Sequence, residues 1–176
     1  MPQKITTTIT KGLIIGLIMI AVSIGETFMG ISMNGSFQWV IYLIFFVGII
    51  WSIMQYGKQV DHNSTFGNYF AHGFKVAATV TILMIVFLII FMAVFPEFKE
   101  KGMDEARKKM SEKNNVSQEQ IDKTLELTKR FFTVFLIGGA LIGYLFLGAI
   151  ASLIGAGVTK KNPRLLEEEH INQMGT

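Results

Sequence analysis

Residues 27–57, 76–96 and 131–159 contain no Asp, Glu, Lys or Arg. About 20 mostly apolar residues in a helix suffice to cross the hydrocarbon core of a bilayer, so these runs constrain the chain more than any other feature. The 16 basic and 13 acidic residues are crowded into what remains, 17 of them between Glu97 and Arg130 and six between Lys160 and Glu169. A soluble domain spreads roughly 25% charge over its whole surface. Here 16% of residues are charged, in blocks, and 51% are hydrophobic. That excludes an ordinary water-soluble globule and predicts membrane spans separated by polar segments.

The first charge-free run is too long for one crossing, and Asn34-Gly35-Ser36 in its middle is a turn signal. The expected organisation is one all-α integral membrane domain over residues 1–176, a four-transmembrane-helix bundle. Its spans are expected near 12–33, 37–56, 76–95 and 131–158, with an extramembrane helical insert at 97–130 and a polar tail at 160–176. Pro96 closes the third span because it cannot continue a helix comfortably. Lys4 and Lys11 precede the apolar run Leu13–Ile20, and Ala21-Val22-Ser23 resembles a cleavage site. The apolar run continues beyond it, so the segment is read as a retained first span. Trp39 and Tyr42 at one end of the second span, with Trp51 and Tyr56 towards the other, suit two interfacial belts, since Trp39 to Tyr56 rises about 25 Å.

An even number of spans puts both termini on one side. Lys4 and Lys11 before the first helix, and no Lys or Arg in the turn after it, favour termini in the cytoplasm. The nine Lys/Arg of the 97–130 segment pull the other way. That segment reads as two helices. Asp104/Lys108, Glu105/Lys109, Glu119/Lys123 and Glu126/Arg130 are acid-before-base pairs at i,i+4. Asn114-Asn115 interrupts them, and Ser117-Gln118-Glu119-Gln120 has the form of a capping box. The expectation is a charged helical hairpin, with a soluble spacer as the competing reading.

Chemistry has few places to reside. The chain has no cysteine, which removes disulfides, thiol nucleophiles and Cys-based metal sites. Its net charge of +3 does not signal nucleic acid, because the basic residues alternate with acids. His62 and His72 lack helical ligand spacing and read as loop and interface residues. No nucleophile elbow, phosphate loop or zinc motif occurs. No cofactor, no metal and no enzymatic activity are therefore expected.

Glu26 is the one ionisable residue inside an apolar run, a functional hypothesis by default. Counted from Lys11 and from Lys160, Glu26 and Tyr144 lie at the same depth, about 22–24 Å from the inner boundary. The expectation is a polar pair in which Tyr144 donates to Glu26. A carboxylate snorkelling to the outer interface competes with it. Small residues paired at four-residue spacing (Gly12 with Gly16, Gly139 with Gly143, and Gly148 with Ser152) predict close packing of spans one and four.

Between spans two and three, Thr65-Phe66-Gly67-Asn68-Tyr69-Phe70 is followed by Gly73-Phe74-Lys75 and an apolar helix. This resembles the signature of a bacterial four-span membrane family catalogued as domain of unknown function 4199, with Tyr69 where that pattern has a small residue. Asn115-Val116-Ser117-Gln118-Glu119-Gln120-Ile121 and Ile150-Ala151-Ser152-Leu153-Ile154-Gly155-Ala156 resemble its other marks. The resemblance implies the four-span fold and a bacterial inner membrane, and brings no catalytic residue. Gly67 and Gly73 fit a chain turning at headgroup level, with Phe66, Phe70 and Lys75 as further anchors. The function expected is that of a non-enzymatic accessory or scaffolding subunit. Its partners would be the lipid bilayer and either another membrane protein or a second copy. The alternative is a small oligomeric transporter or channel using Glu26.

Overall fold

A computed structural model describes residues 7–29, 38–111 and 118–159. They form helices and no strands: α1 (Thr8–Phe28), α2 (Gln38–Gln59), α3 (Phe66–Val94), α4 (Glu97–Ser111) and α5 (Gln118–Val158). Four are long and apolar enough to cross a membrane, over Thr8–Phe28, Trp39–Gln59, Phe66–Val94 and Lys123–Val158. The chain is a multi-pass membrane protein. The turn at Asn34-Gly35-Ser36, the Asn114-Asn115 break, Ser117 and the polar tail lie outside the described residues.

Local chemistry explains the helix ends. Thr7 caps α1, its hydroxyl accepting from the Thr10 amide at 3.2 Å. Thr65 caps α3 in the same way, accepting from the Asn68 amide at 3.3 Å. This corrects the expected turn at headgroup level: Gly67 and Gly73 are both helical, and the Thr-Phe-Gly signature opens a helix. At the end of α2 the His62 amide donates to the Gly57 carbonyl at 2.8 Å and the Asp61 amide to the Lys58 carbonyl at 3.3 Å. These are the two bonds of a Schellman closure. Asp61 and His62 follow the helix with φ of 50° and 58°. Pro96 separates α3 from α4, and its carbonyl accepts from the Lys99 amide at 3.0 Å.

The chain divides into two compact units. In the first, residues 1–84 and 143–176, close backbone approach sets the packing. A Cβ on Gly12 would stand 2.7 Å from Thr79 Cβ, and one on Gly16 2.6 Å from Leu83 Cδ2, so α1 lies on α3. A Cβ on Gly148 would stand 2.5 Å from Ala77 Cβ, so α5 also lies on α3. Gly73 is crowded by Ile53 of α2 and by Ser152 Oγ of α5. Gly12, Gly16, Gly148 and Ser152 are thus packing residues, but their partner is α3. That corrects the expected seam between spans one and four, to which Gly143, with nothing within 4 Å of a built Cβ, brings no contact; Gly139 is open in the same way. The core they enclose includes Met19, Phe45, Ile49, Ile53, Val76, Val80 and Ala151, all fully buried.

The second unit, residues 85–142, carries a phenylalanine ladder on α3, Phe87–Phe91–Phe95, with centroids 5.6 and 5.0 Å apart. A Cβ on Gly102 of α4 would be 3.3 Å from the Phe132 ring of α5. Of the expected ion pairs Glu119–Lys123 closes at 2.8 Å, whereas Arg130 lies over the Phe131 ring at 5.7 Å.

Candidate functional site

The chemistry gathers where the first turn of α1, the last turns of α2 and the first turns of α3 meet. On α2, Ser52, Tyr56 and Gln59 stand at i, i+4 and i+7 and share one face. On α3, Tyr69 and His72 belong to the buried stripe that continues through Gly73, Val76 and Ala77. Lys11 of α1 enters between them with 2% of its surface exposed.

An ammonium has three N–H donors and no acceptor. Lys11 Nζ is 3.2 Å from the Ser52 carbonyl oxygen, 3.3 Å from Gln59 Oε1 and 3.5 Å from His72 Nε2. It lies 6.0 Å from the centroid of the Tyr56 ring, within the range of a cation–π contact. Among the described residues no carboxylate pairs with it, so the cation is solvated by neutral acceptors alone. Burying a charge costs several kcal/mol unless hydrogen bonds replace its water, and here all three donors are used.

His72 completes the cluster. Its ring stacks on Tyr56 at 4.2 Å with an interplanar angle of 10°, and Tyr56 meets the edge of Tyr69 at 5.9 Å. Nε2 also faces Ser52 Oγ at 3.2 Å. To accept from Lys11 this nitrogen needs its lone pair, which places the imidazole proton on Nδ1. A proton on both nitrogens would set two positive charges about 3.5 Å apart, a repulsion of about 5 kcal/mol at an effective dielectric near 20. A serine hydroxyl beside an imidazole nitrogen is also the geometry of a nucleophile and its base. Here Ser52 is fully buried, and one lone pair on Nε2 faces two donors. Tyr69 has no exposed surface, and its hydroxyl is buried without a hydrogen-bond partner. Among the described residues no three His, Asp or Glu side chains converge as metal ligands would.

Several sequence expectations change here. Tyr56, half-exposed near the end of α2, belongs to this cluster, and His72 is a buried helical residue, not a loop one. Lys11, expected as a boundary charge, is a buried member of the cluster. Trp39 and Trp51 remain exposed, as interfacial residues would be, and so do Phe66 and Lys75. Phe70 stacks on Phe74 at 5.9 Å, and Tyr42 meets the edge of Trp39 at 6.5 Å.

The expected Glu26–Tyr144 pair is not formed. Glu26 Oε1 is buried without a partner, and the Tyr144 ring packs against Tyr42 at 6.1 Å and Phe45 at 5.2 Å. Matching depth fixes height along the membrane normal but not the direction in which each side chain points. Tyr144 turns towards α2, while the small face of α1 lies on α3.

A family model described as Protein of unknown function (DUF4199) matches residues 10–161, and so takes in all three signature stretches. No curated protein and no solved structure matches the chain.

Proposed function

From the premise that the chain belongs to the DUF4199 family, we propose that it is a bacterial inner-membrane protein with both termini in the cytoplasm, acting without catalysis as an accessory or scaffolding subunit. The observation that carries this reading is α4. A spacer between two spans needs no secondary structure, yet Glu97–Ser111 is a helix with exposed Asp104, Arg107 and Lys108, and it begins directly after Pro96. In this reading the 97–130 segment folds into a charged hairpin whose outer face meets a membrane-protein partner. The Lys11 cluster agrees with it, because its donors are turned on its own acceptors, as in a joint between helices. Cross-linking in native membranes followed by mass spectrometry tests the proposal. Links from the 97–130 segment to one heterologous protein, lost when residues 98–116 become a Gly/Ser linker, are expected. Links between copies of this chain alone would sink it.

A second reading rests on one observation, the unpartnered Oε1 of Glu26. A desolvated carboxylate with a vacant acceptor suits a proton-coupled or substrate-binding site in a small oligomeric carrier. Proton flux into liposomes that Glu26→Gln abolishes would favour it.

A further inference from the structure

The Lys11–His72 contact joins two groups that both bind protons, in a place where the other polar partners are neutral. We propose that it is an acid-released latch: it holds the start of α1 against α2 and α3 while His72 is neutral and lets go when His72 takes a second proton.

The geometry requires this polarity. Lys11 Nζ has three donors, and His72 Nε2 supplies one of its three acceptors at 3.5 Å. Protonation turns that acceptor into a donor facing another donor, and turns the Ser52 Oγ contact at 3.2 Å from a bond received into a bond given. The ionisable groups around the imidazole cannot absorb the added charge. Lys11 from α1 and Tyr56 from α2 touch it; Tyr69 and Lys75 stand one turn away on α3, and His62 and the exposed Asp61 belong to the α2–α3 turn, His62 against Gly57. From α5 come the hydroxyls of Ser152 and Thr159, bonded to the Gly148 and Gly155 carbonyls. Among these described groups the only carboxylate is Asp61, which is exposed to solvent.

The closed arrangement binds one proton fewer than the open one. A free imidazole takes up its second proton near about pH 6.5. The contact is therefore fully formed above that pH and is lost progressively as pH falls below it. The moving part is the first turn of α1, which Thr7 caps by bonds to its own helix only. Lys11 closes that turn, its amide donating to the Thr7 carbonyl at 3.2 Å, and Gly12 rests on the Val76 carbonyl and on Thr79.

The absence of cysteine makes the chain its own background for thiol labelling. Val76 is fully buried and its carbonyl lies against Gly12, whereas Asn68 is exposed on the same helix. In the full chain in detergent micelles, maleimide labelling of Val76→Cys is compared with that of Asn68→Cys at each pH, which cancels the pH dependence of the thiol itself. The expected ratio rises at least tenfold between pH 7.5 and pH 5. It stays low throughout in the His72→Gln background, where the side-chain acceptor remains but cannot become a cation. Lys11→Met removes the other charge and should flatten the profile too, whereas His62→Gln should leave the rise intact. A flat ratio in the otherwise native chain overturns the proposal. So does a rise that His62→Gln removes, or one that survives both His72→Gln and Lys11→Met.

Discussion

Lys11 and Glu26 lie on the same helix, about four turns or 22 Å apart, and differ in what surrounds them. Lys11 has three neutral acceptors drawn from α2 and α3 and an aromatic face beside it. Glu26 has a buried oxygen with no partner. In an apolar helix array the cost of a charge is decided by the neighbouring helices. At the Lys11 end they contribute a serine carbonyl, an amide and an imidazole. At the Glu26 end the nearest described tyrosine of α5 faces Phe45 instead.

That contrast predicts unequal costs of mutation. Lys11→Ala removes the charge and the stem that fills a buried site, and takes one donor from the Ser52 carbonyl, the part-buried Gln59 Oε1 and His72 Nε2, of which His72 keeps Ser52 Oγ. A loss of about 2–4 kcal/mol is expected, read as a lower midpoint of unfolding in detergent. Lys11→Met keeps most of the stem and should lose about half as much. If Lys11→Ala were silent, the cluster would be an incidental contact and the comparison would collapse.

Packing gives the next largest effect and sharpens the same contrast between closed and open surfaces. A Cβ on Gly148 stands 2.5 Å from Ala77 Cβ, whereas one on Gly139 meets nothing within 4 Å. Gly148→Ala should cost about 1–3 kcal/mol through overpacking. Gly139→Ala should cost nothing and gain up to about 1 kcal/mol in helix propensity. Thermal unfolding of both variants in one detergent checks the pair.

These same residues show what the sequence could and could not tell. Four long apolar helices follow from the charge-free runs, because that signal is one-dimensional and needs no knowledge of neighbours. The Thr65 cap was also readable, since a threonine before an apolar helix is a start signal. Gly67 is itself ambiguous in a sequence, since glycine serves a turn as readily as the first turn of a helix. The Lys11 cluster was hidden for a physical reason: its contacts between helices join residues 13 to 61 positions apart and form only when α1, α2 and α3 pack. The signal that could have exposed it is the i, i+4, i+7 spacing of Ser52, Tyr56 and Gln59, a polar stripe on an otherwise apolar helix. The Glu26–Tyr144 pairing failed for the complementary reason, since a count of residues yields depth without direction.

Asp61 predicts a smaller effect at the Lys11 end. It occupies the left-handed position that closes α2, with φ of 50°, where a glycine carries no Cβ penalty. Asp61→Gly should stabilise by about 0.5–1 kcal/mol, provided the backbone bonds from His62 to Gly57 and from Asp61 to Lys58 persist. Hydrogen exchange at those two amides reads the outcome. Faster exchange would mean that the aspartate side chain, not its backbone, holds the turn.

The smallest effect is expected at Glu26. The residue lies in the last turns of α1, where the helix presents the negative end of its dipole and a carboxylate gains nothing from the backbone. Glu26→Gln removes the charge, keeps the shape and takes no partner from Oε1, which has none. Stability should therefore stay within about 0.5 kcal/mol of the parent, on the side of a slight gain. A loss of more than about 1 kcal/mol, the value of a typical buried hydrogen bond, would give Glu26 a bonded role and erase its contrast with Lys11. Unchanged stability with altered proton flux would leave the contrast standing and shift its meaning, from an idle carboxylate oxygen to one that takes up protons.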